Sequence, residues 1–187
     1  TGQHLFPFIP KLKEIEVEKD KRPNSIAKIL AHAASIHSAS TYLQRETDWD
    51  LMAVYHDAID HFSHLSMKFH PPYRRGLQKD LYEKYKDVVN GGYMFHDMML
   101  ERTLELVDDD TTVMIVSDHG FHSDHLRPKY LVKEPAAPAQ EHSPYGIFCF
   151  KGPGIKKGEI IHGASVLDVT PTLLALYGLP IGENMEG

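Results

Sequence analysis

One run of ten residues, Thr112–Phe121, constrains the fold of this chain more than any other segment. It begins with the five apolar or β-branched residues Thr112–Val116 and leads through Asp118 and His119 to a glycine turn. A continuous apolar run of this length is typical of a parallel strand that is buried on both faces. Because open α/β sheets bind ligands beyond the carboxyl ends of their strands, this carboxylate and imidazole lie where chemistry is expected. The pair alone is equally typical of a strand cap beside a surface imidazole, since short motifs often match by chance.

A second group of polar side chains lies upstream, after the apolar segment Asp50–Tyr55, which we predict to be a short buried strand. The nine residues His56–His64 contain three imidazoles and two carboxylates. If a helix covers Asp60 and His64, their four-residue spacing places them on one face, with Cβ atoms about 5–6 Å apart. Asp57 is the alternative carboxylate, and the same argument favours Asp60 over it. One cation can therefore accept both Asp60 and His64.

A cation site of this kind needs a third ligand. Catalytic zinc sites use three protein ligands, carboxylate oxygen and imidazole nitrogen among them, at about 2.0–2.2 Å, and they keep one position open. Glu141–His142 offers such a ligand, just before the apolar strand that we predict over Gly146–Phe150. The sequence therefore predicts a metal site built from segments that are distant along the chain.

Taken together, these segments resemble the alkaline phosphatase superfamily, specifically its type I phosphodiesterase and nucleotide pyrophosphatase branch. The resemblance runs from about Asp50 to the last residue. It rests on three ordered segments: Asp60-x-x-x-His64, Val116–Phe121, and His142 through Gly152–Ile155 to Leu167–Leu174. The fold it implies is an α/β sandwich with a mostly parallel central sheet and helices on both faces, here incomplete.

The resemblance also implies a metal-dependent hydrolase of phosphoric esters with two divalent metal ions. One ion would be held by Asp60, His64 and His142, and the second by Asp118 and His119 with a further aspartate. Imidazole-rich ligand sets suit Zn²⁺, with Mn²⁺ as the alternative. The substrate would be a small phosphoester. His122 and His125 match no ligand position of the family, and we regard them as candidates for substrate contact.

The family pattern requires that further aspartate at the end of the first strand and a Thr or Ser nucleophile at the start of the next helix. Neither is found before Asp50: Lys11–Lys21 is predicted to be a charged, solvated connection and Pro23–Glu46 a helix with one apolar face. We therefore expect residues 1–187 to be the carboxyl-terminal part of a single catalytic domain, inactive by itself, with the nucleophile upstream. Ser63 and Ser117 lie beside predicted ligands, but neither is a convincing substitute.

Other activities on the same fold remain alternatives. They are phosphatase, phosphonate hydrolase and phosphoglycerate-mutase-like chemistry, and a non-catalytic metal-binding domain could retain the fold as well. A sulfatase is disfavoured because its calcium site is rich in carboxylates and amides, whereas imidazoles predominate here.

Composition narrows the class of protein further. The chain has 42% hydrophobic residues and no apolar stretch near the roughly 20 residues of a membrane span, which is typical of a soluble globular protein. Its formal net charge of −6 argues against binding to a nucleic-acid backbone. The single cysteine, Cys149, lies within a predicted apolar strand, so we expect it to belong to the core rather than to be reactive.

The remaining segments alternate between helices and connections. We predict one long helix over Leu77–Val107, weakened at Gly91–Gly92 by about 1 kcal/mol per glycine. A close packing contact or a kink is expected at that pair. Asp108–Asp110 is predicted to be a solvated turn before the strand, and Leu131–Gln140 a loop. A final helix is predicted over Val169–Tyr177.

Overall fold

The computed structural model describes residues 2–128 and 134–186. These residues form two compact units. The first contains the chain up to Val107 and the segment from Phe121 to His142, and the second contains Asp108–Gly120 and the segment from Ser143 onward. The predicted loop Leu131–Gln140 falls partly outside the described residues. Its described end forms the short 3-10 helix Ala137–Glu141.

The first unit is built mainly from helices. They are α1 (Arg22–Glu46), α2 (Ala58–Ser66), α3 (Lys79–Tyr85) and α4 (Val88–Leu104). Three short 3-10 helices accompany them, at Gly2–Leu5, Leu12–Glu14 and Met67–Phe69. The prediction of α1 is confirmed, and Pro23 lies in its first turn, where its missing N–H has no intrahelical acceptor to lose.

The core of the first unit includes residues that precede α1. Its members are Leu5, Phe8, Ile9, Ile26, Ala33, Ala58, Phe62, Phe69, Tyr85, Val88 and Met99. Phe8 stacks on Phe62 with ring centroids 5.4 Å apart. The buried hydroxyl of Tyr85 donates a hydrogen bond to Asp20 Oδ2 at 2.7 Å. The prediction that Lys11–Lys21 is a solvated connection is therefore wrong at Asp20, whose carboxylate accepts a hydrogen bond from the core residue Tyr85.

The long helix predicted over Leu77–Val107 is interrupted, at Lys86–Asp87 rather than at the glycine pair. The apolar periodicity continues across the break because residues on both sides, Tyr85 and Val88, are buried in the same core. Gly91–Gly92 instead lies inside α4 at a close contact. A Cβ atom on the second glycine would lie 2.7 Å from Cδ2 of Phe62, so only a hydrogen fits there.

The segment Asp50–Tyr55 is not a buried strand. It has no regular secondary structure, and Leu51 and Tyr55 are 56% and 80% exposed. The prediction failed because a short apolar run does not determine by itself whether its side chains find a partner. The predicted ligands Asp60 and His64 do not depend on this strand. They lie on α2, which begins shortly afterwards at Ala58.

The strands are β1 (Val113–Val116), β2 (Gly120–Phe121), β3 (His142–Ser143) and β4 (Phe148–Lys151). β1 pairs antiparallel with β4, in a register that joins Val113 to Lys151 and Val116 to Phe148. β2 pairs with β3. The architecture is thus a mixture of helices and small sheets, in line with an incomplete α/β domain. A mostly parallel central sheet is not seen in the described residues, where β1 and β4 pair in the antiparallel direction.

The second unit contains β1, β4 and a terminal helix, α5 (Val169–Leu176). The helix prediction for this segment is confirmed. Ser165 and Asp168 form a capping box just before α5, and Gly178 follows it with φ of +64°. Cys149 is exposed rather than in the core, because β4 turns its two phenylalanines to one side and alternate residues to the other. Nowhere in residues 2–128 and 134–186 is a helix long and apolar enough to cross a bilayer.

Candidate metal centre

Helix α2 positions the first two candidate ligands. Asp60 and His64 are one turn apart on α2, and the Nε2 atom of His64 lies 3.4 Å from Oδ1 of Asp60. His142 begins strand β3, and its Nε2 atom lies 3.0 Å from Nε2 of His64 and 3.5 Å from Oδ1 of Asp60. The structure therefore brings together three predicted ligands, although His64 and His142 are 78 positions apart along the chain.

The three atoms have the spacing of ligands around one small cation. They form a triangle with sides of 3.0, 3.4 and 3.5 Å. In a tetrahedral zinc site with bonds of about 2.0–2.2 Å, ligand atoms are separated by about 3.3–3.6 Å. This is the one group of three or more such ligands found within the described parts of the chain. The donor set, two imidazoles and one carboxylate, also fits Zn²⁺.

Partial burial gives this group the environment of a binding site. The side chains of Asp60, His64 and His142 are 33%, 25% and 26% exposed, so each is covered on one side and open on another. The ring of Phe121 meets both imidazoles edge-on, with centroids 4.9 Å from each. This apolar contact restricts ring rotation on the covered side.

Glu141 lies behind the metal group. Its Oε2 atom is 2.9 Å from Nδ1 of His64, on the opposite side of the ring from the candidate cation position. Glu141 is buried, with 6% of its surface exposed. A carboxylate that accepts the second ring N–H of a metal-bound histidine is a common arrangement in zinc proteins.

Asp57, the alternative carboxylate, contacts two other histidines. Its Oδ2 atom lies 3.3 Å from Nε2 of His61 and its Oδ1 atom 3.6 Å from Nδ1 of His32. The face-sharing argument that favoured Asp60 therefore agrees with the contacts in the structure.

Asp118 and His119 belong to the second unit. The Nδ1 atom of His119 lies 3.2 Å from the carbonyl oxygen of Gly120, to which it donates, and Nε2 lies 3.8 Å from Oδ2 of Asp118. The Asp118 side chain is 76% exposed. This backbone hydrogen bond at Nδ1 places Nε2 on the side of the ring that faces the Asp118 carboxylate.

The candidate substrate-contacting residues lie around Asp124. Nδ1 of His122 is 3.5 Å from Oδ1 of Asp124, and Nδ1 of His125 is 3.8 Å from Oδ2. The backbone amide of Leu126 donates to Asp124, and this lowers the pKa of the carboxyl below its ordinary value. The His125 side chain is 85% exposed, whereas that of His122 is 20% exposed.

A second cluster of imidazoles lies in the first unit. The rings of His56 and His96 meet edge to face with centroids 5.8 Å apart. Nδ1 of His96 donates to the Gly92 carbonyl oxygen at 2.9 Å. Burial lowers the pKa of His37, His56 and His96, and the three rings favour the neutral form.

Sequence reasoning missed two neighbours of the metal group. In the sequence, Glu141 stands out only as part of the Glu141–His142 pair that offers a third ligand, and Phe121 only as the end of a motif. The signal for Phe121 was available, because it directly follows the predicted ligands Asp118 and His119. No sequence signal connects Glu141 to His64, since 77 positions separate them.

Comparison with known protein families identifies the class of protein. The sequence profile of the type I phosphodiesterase / nucleotide pyrophosphatase family matches residues 12–133, more than half of the chain. The chain belongs to that family, whose members are phosphoester hydrolases that generally use divalent metal ions. The match begins upstream of the resembling segments and ends before His142. Neither the curated proteins nor the solved structures include a significant match.

Proposed function

We propose that this chain is part of a metal-dependent hydrolase of phosphoric esters, a phosphodiesterase or nucleotide pyrophosphatase with a two-metal site. The observation that carries the proposal is the triangle formed by Asp60, His64 and His142 in a chain of this family. Small phosphoesters are the proposed substrate class. Zn²⁺ is the proposed cofactor because imidazoles predominate among the ligands, with Mn²⁺ as the alternative.

The candidate ligands of the chain would belong to two metal sites. Asp60, His64 and His142 would hold one ion, and Asp118 with His119 would contribute to the second. Bound ions of this kind polarise a phosphoryl oxygen and activate a hydroxyl nucleophile or water. Phe121 keeps the two imidazoles in place, and His122 remains the better candidate for substrate contact because it is less exposed than His125.

The nucleophile stays a prediction. Ser63 is fully buried inside α2, and the Ser117 hydroxyl donates to the backbone oxygen of His119 at 2.7 Å. Neither hydroxyl is placed to attack a substrate. The family resemblance places a Thr or Ser nucleophile upstream of this sequence, together with the remaining aspartate ligand. We therefore propose that residues 1–187 bind metal and are inactive until that segment is supplied.

The single-domain organisation and the parallel sheet are parts of the same proposal. β1 pairs with β4 along one edge. We place a parallel neighbouring strand, contributed by the upstream part of the domain, along the other edge of β1. The apolar composition of β1 supports this placement, because strands inside parallel sheets are apolar throughout.

The test is hydrolysis of bis-p-nitrophenyl phosphate and of p-nitrophenyl phosphate, with Zn²⁺ or Mn²⁺ supplied after chelation. The 187-residue chain and the protein extended upstream are assayed side by side. We expect chelator-sensitive turnover by the extended protein, greater for the diester, and its loss in Asp60→Asn but not in Asp57→Asn. Robust turnover by the 187-residue chain would show that the nucleophile is misplaced. Metal binding without turnover in the extended protein would favour a non-catalytic domain.

A further inference from the structure

We propose that Glu141 is a positioning residue for the metal group: its buried carboxylate holds the His64 ring so that Nε2 faces Asp60 and His142. The proposal rests on the proposed function, because it presupposes that these three residues bind a metal ion. Glu141 makes no contact with the cation position itself, and it would act only through His64.

The chemistry of the carboxylate sets the direction of the hydrogen bond. An ionised carboxylate can only accept, so Nδ1 of His64 donates its proton to Oε2 of Glu141 at 2.9 Å. A neutral imidazole carries one proton, and Nε2 is then left with its lone pair. That lone pair is directed at the triangle, where Oδ1 of Asp60 lies 3.4 Å away. Glu141 therefore selects the tautomer in which His64 can bind a metal.

Glu141 is itself held firmly. It is the last residue of the 3-10 helix Ala137–Glu141, and its side chain is 8% exposed. Its backbone oxygen accepts a hydrogen bond from the amide of His122 at 2.9 Å, next to strand β2. The residue that follows it is the ligand His142. One short segment thus supplies a ligand and also the carboxylate that orients another ligand on α2.

A purely structural contact is the alternative explanation, and Glu141→Gln separates the two. The substitution keeps the size of the side chain but removes its charge. Its amide presents both an acceptor oxygen and a donor NH2 group, so it no longer selects one tautomer of His64, and a ring proton on Nε2 competes with the metal. A positioning role predicts about a 10–100-fold loss of metal affinity, the usual cost of removing such a partner. A structural role predicts lower stability with or without metal.

The experiment titrates the chain with Co²⁺, whose visible absorption reports both affinity and coordination geometry. Thermal unfolding is measured in EDTA and in Zn²⁺. For Glu141→Gln we expect an unchanged melting temperature in EDTA, 10–100-fold weaker Co²⁺ binding and an altered absorption band. The matched control is Asp57→Asn, which removes a carboxylate that contacts His61 rather than a ligand. It should bind Co²⁺ as the unmodified chain does.

Different negative results overturn different parts of the proposal. If the unmodified chain shows no Co²⁺ binding that Asp60→Asn abolishes, the proposed function and this inference fall together. If the unmodified chain binds and Glu141→Gln binds equally well with the same spectrum, only the positioning role is overturned. Should Glu141→Gln not fold, nitrogen NMR of the unmodified, Zn²⁺-loaded chain decides. We expect the His64 proton on Nδ1, and a proton on Nε2 with metal at Nδ1 would overturn the proposal.

Discussion

The Nε2 atoms of His64 and His142 lie 3.0 Å apart in a half-buried position. Two ring nitrogens at this distance need a shared proton or a cation between them, because two facing lone pairs repel. Since the other nitrogen of His64 donates to Glu141, Nε2 of His64 is on the accepting side. Removing His142 should therefore weaken metal binding without introducing an unpaired buried charge.

We predict that His142→Ala loses most of the stabilisation that Zn²⁺ gives the unmodified chain. At a ligand concentration 100 times Kd, one bound ion adds about 2.7 kcal/mol to the free energy of unfolding, and this gain disappears with the site. Thermal unfolding in EDTA and in Zn²⁺ measures it. His61→Ala is the control, since His61 lies on α2 with the ligands Asp60 and His64 but contacts Asp57. Equal Zn²⁺ stabilisation of His142→Ala and the unmodified chain would contradict the assigned ligand set.

Two ligands of this centre could be predicted from the sequence because their spacing follows a local rule, while His142 is assigned through the family resemblance. The four-residue spacing of Asp60 and His64 needs only a helix, and the helix is present. The place of Glu141 could not be predicted, because a contact with a residue 77 positions away depends on tertiary packing. The same limit explains the failed strand over Asp50–Tyr55. Apolar side chains predict burial only if another element covers them.

The two candidate sites should differ in affinity. Asp60, His64 and His142 offer three ligand atoms within 4.8 Å of one another, whereas Asp118 and His119 offer two. We predict one tightly bound Zn²⁺ per chain by elemental analysis after gel filtration. His119→Ala should leave that ratio unchanged and Asp60→Ala should remove it. Two tightly bound ions on a monomer would show that the Asp118–His119 pair has further ligands.

The close contact between α4 and α2 predicts a stability change at Gly92. Alanine normally stabilises a helix interior by about 1 kcal/mol over glycine. Here its Cβ would lie 2.7 Å from the buried ring of Phe62, which also stacks on Phe8 and cannot turn away freely. Overpacking of this kind costs about 1–3 kcal/mol, so we expect Gly92→Ala to be destabilised on balance.

Urea unfolding checks this expectation against Asn90→Ala, an exposed position on the same helix. The control should be as stable as the unmodified chain or slightly more stable, because alanine is the better helix former. A Gly92→Ala chain that gains stability would mean that Phe62 moves aside at little cost.

The histidine cluster predicts that the folded chain loses stability in mild acid. Burial is the main cause that lowers the pKa of His37, His56 and His96 from an ordinary value of 6.5. His56 also faces His96 and His37, which lower its pKa, and Asp57, which raises it. Arg102 lowers the pKa of His37, while the Gly92 carbonyl and Asp57 act in the opposite direction on His96.

The sign follows from proton binding. Well above pH 6.5 these rings are neutral in both states and contribute no pH dependence. As the pH falls through 6.5, the unfolded chain takes up protons that the folded chain resists, so the free energy of unfolding decreases. Each such proton contributes a slope of up to about 1.4 kcal/mol per pH unit.

Urea unfolding in EDTA between pH 7.5 and 5.5, a window set around the ordinary pKa, should show this decline. His96→Gln should make the slope shallower, whereas His125→Gln, at an exposed position, should not. A flat profile, or an unchanged slope in His96→Gln, would exclude the cluster as its source.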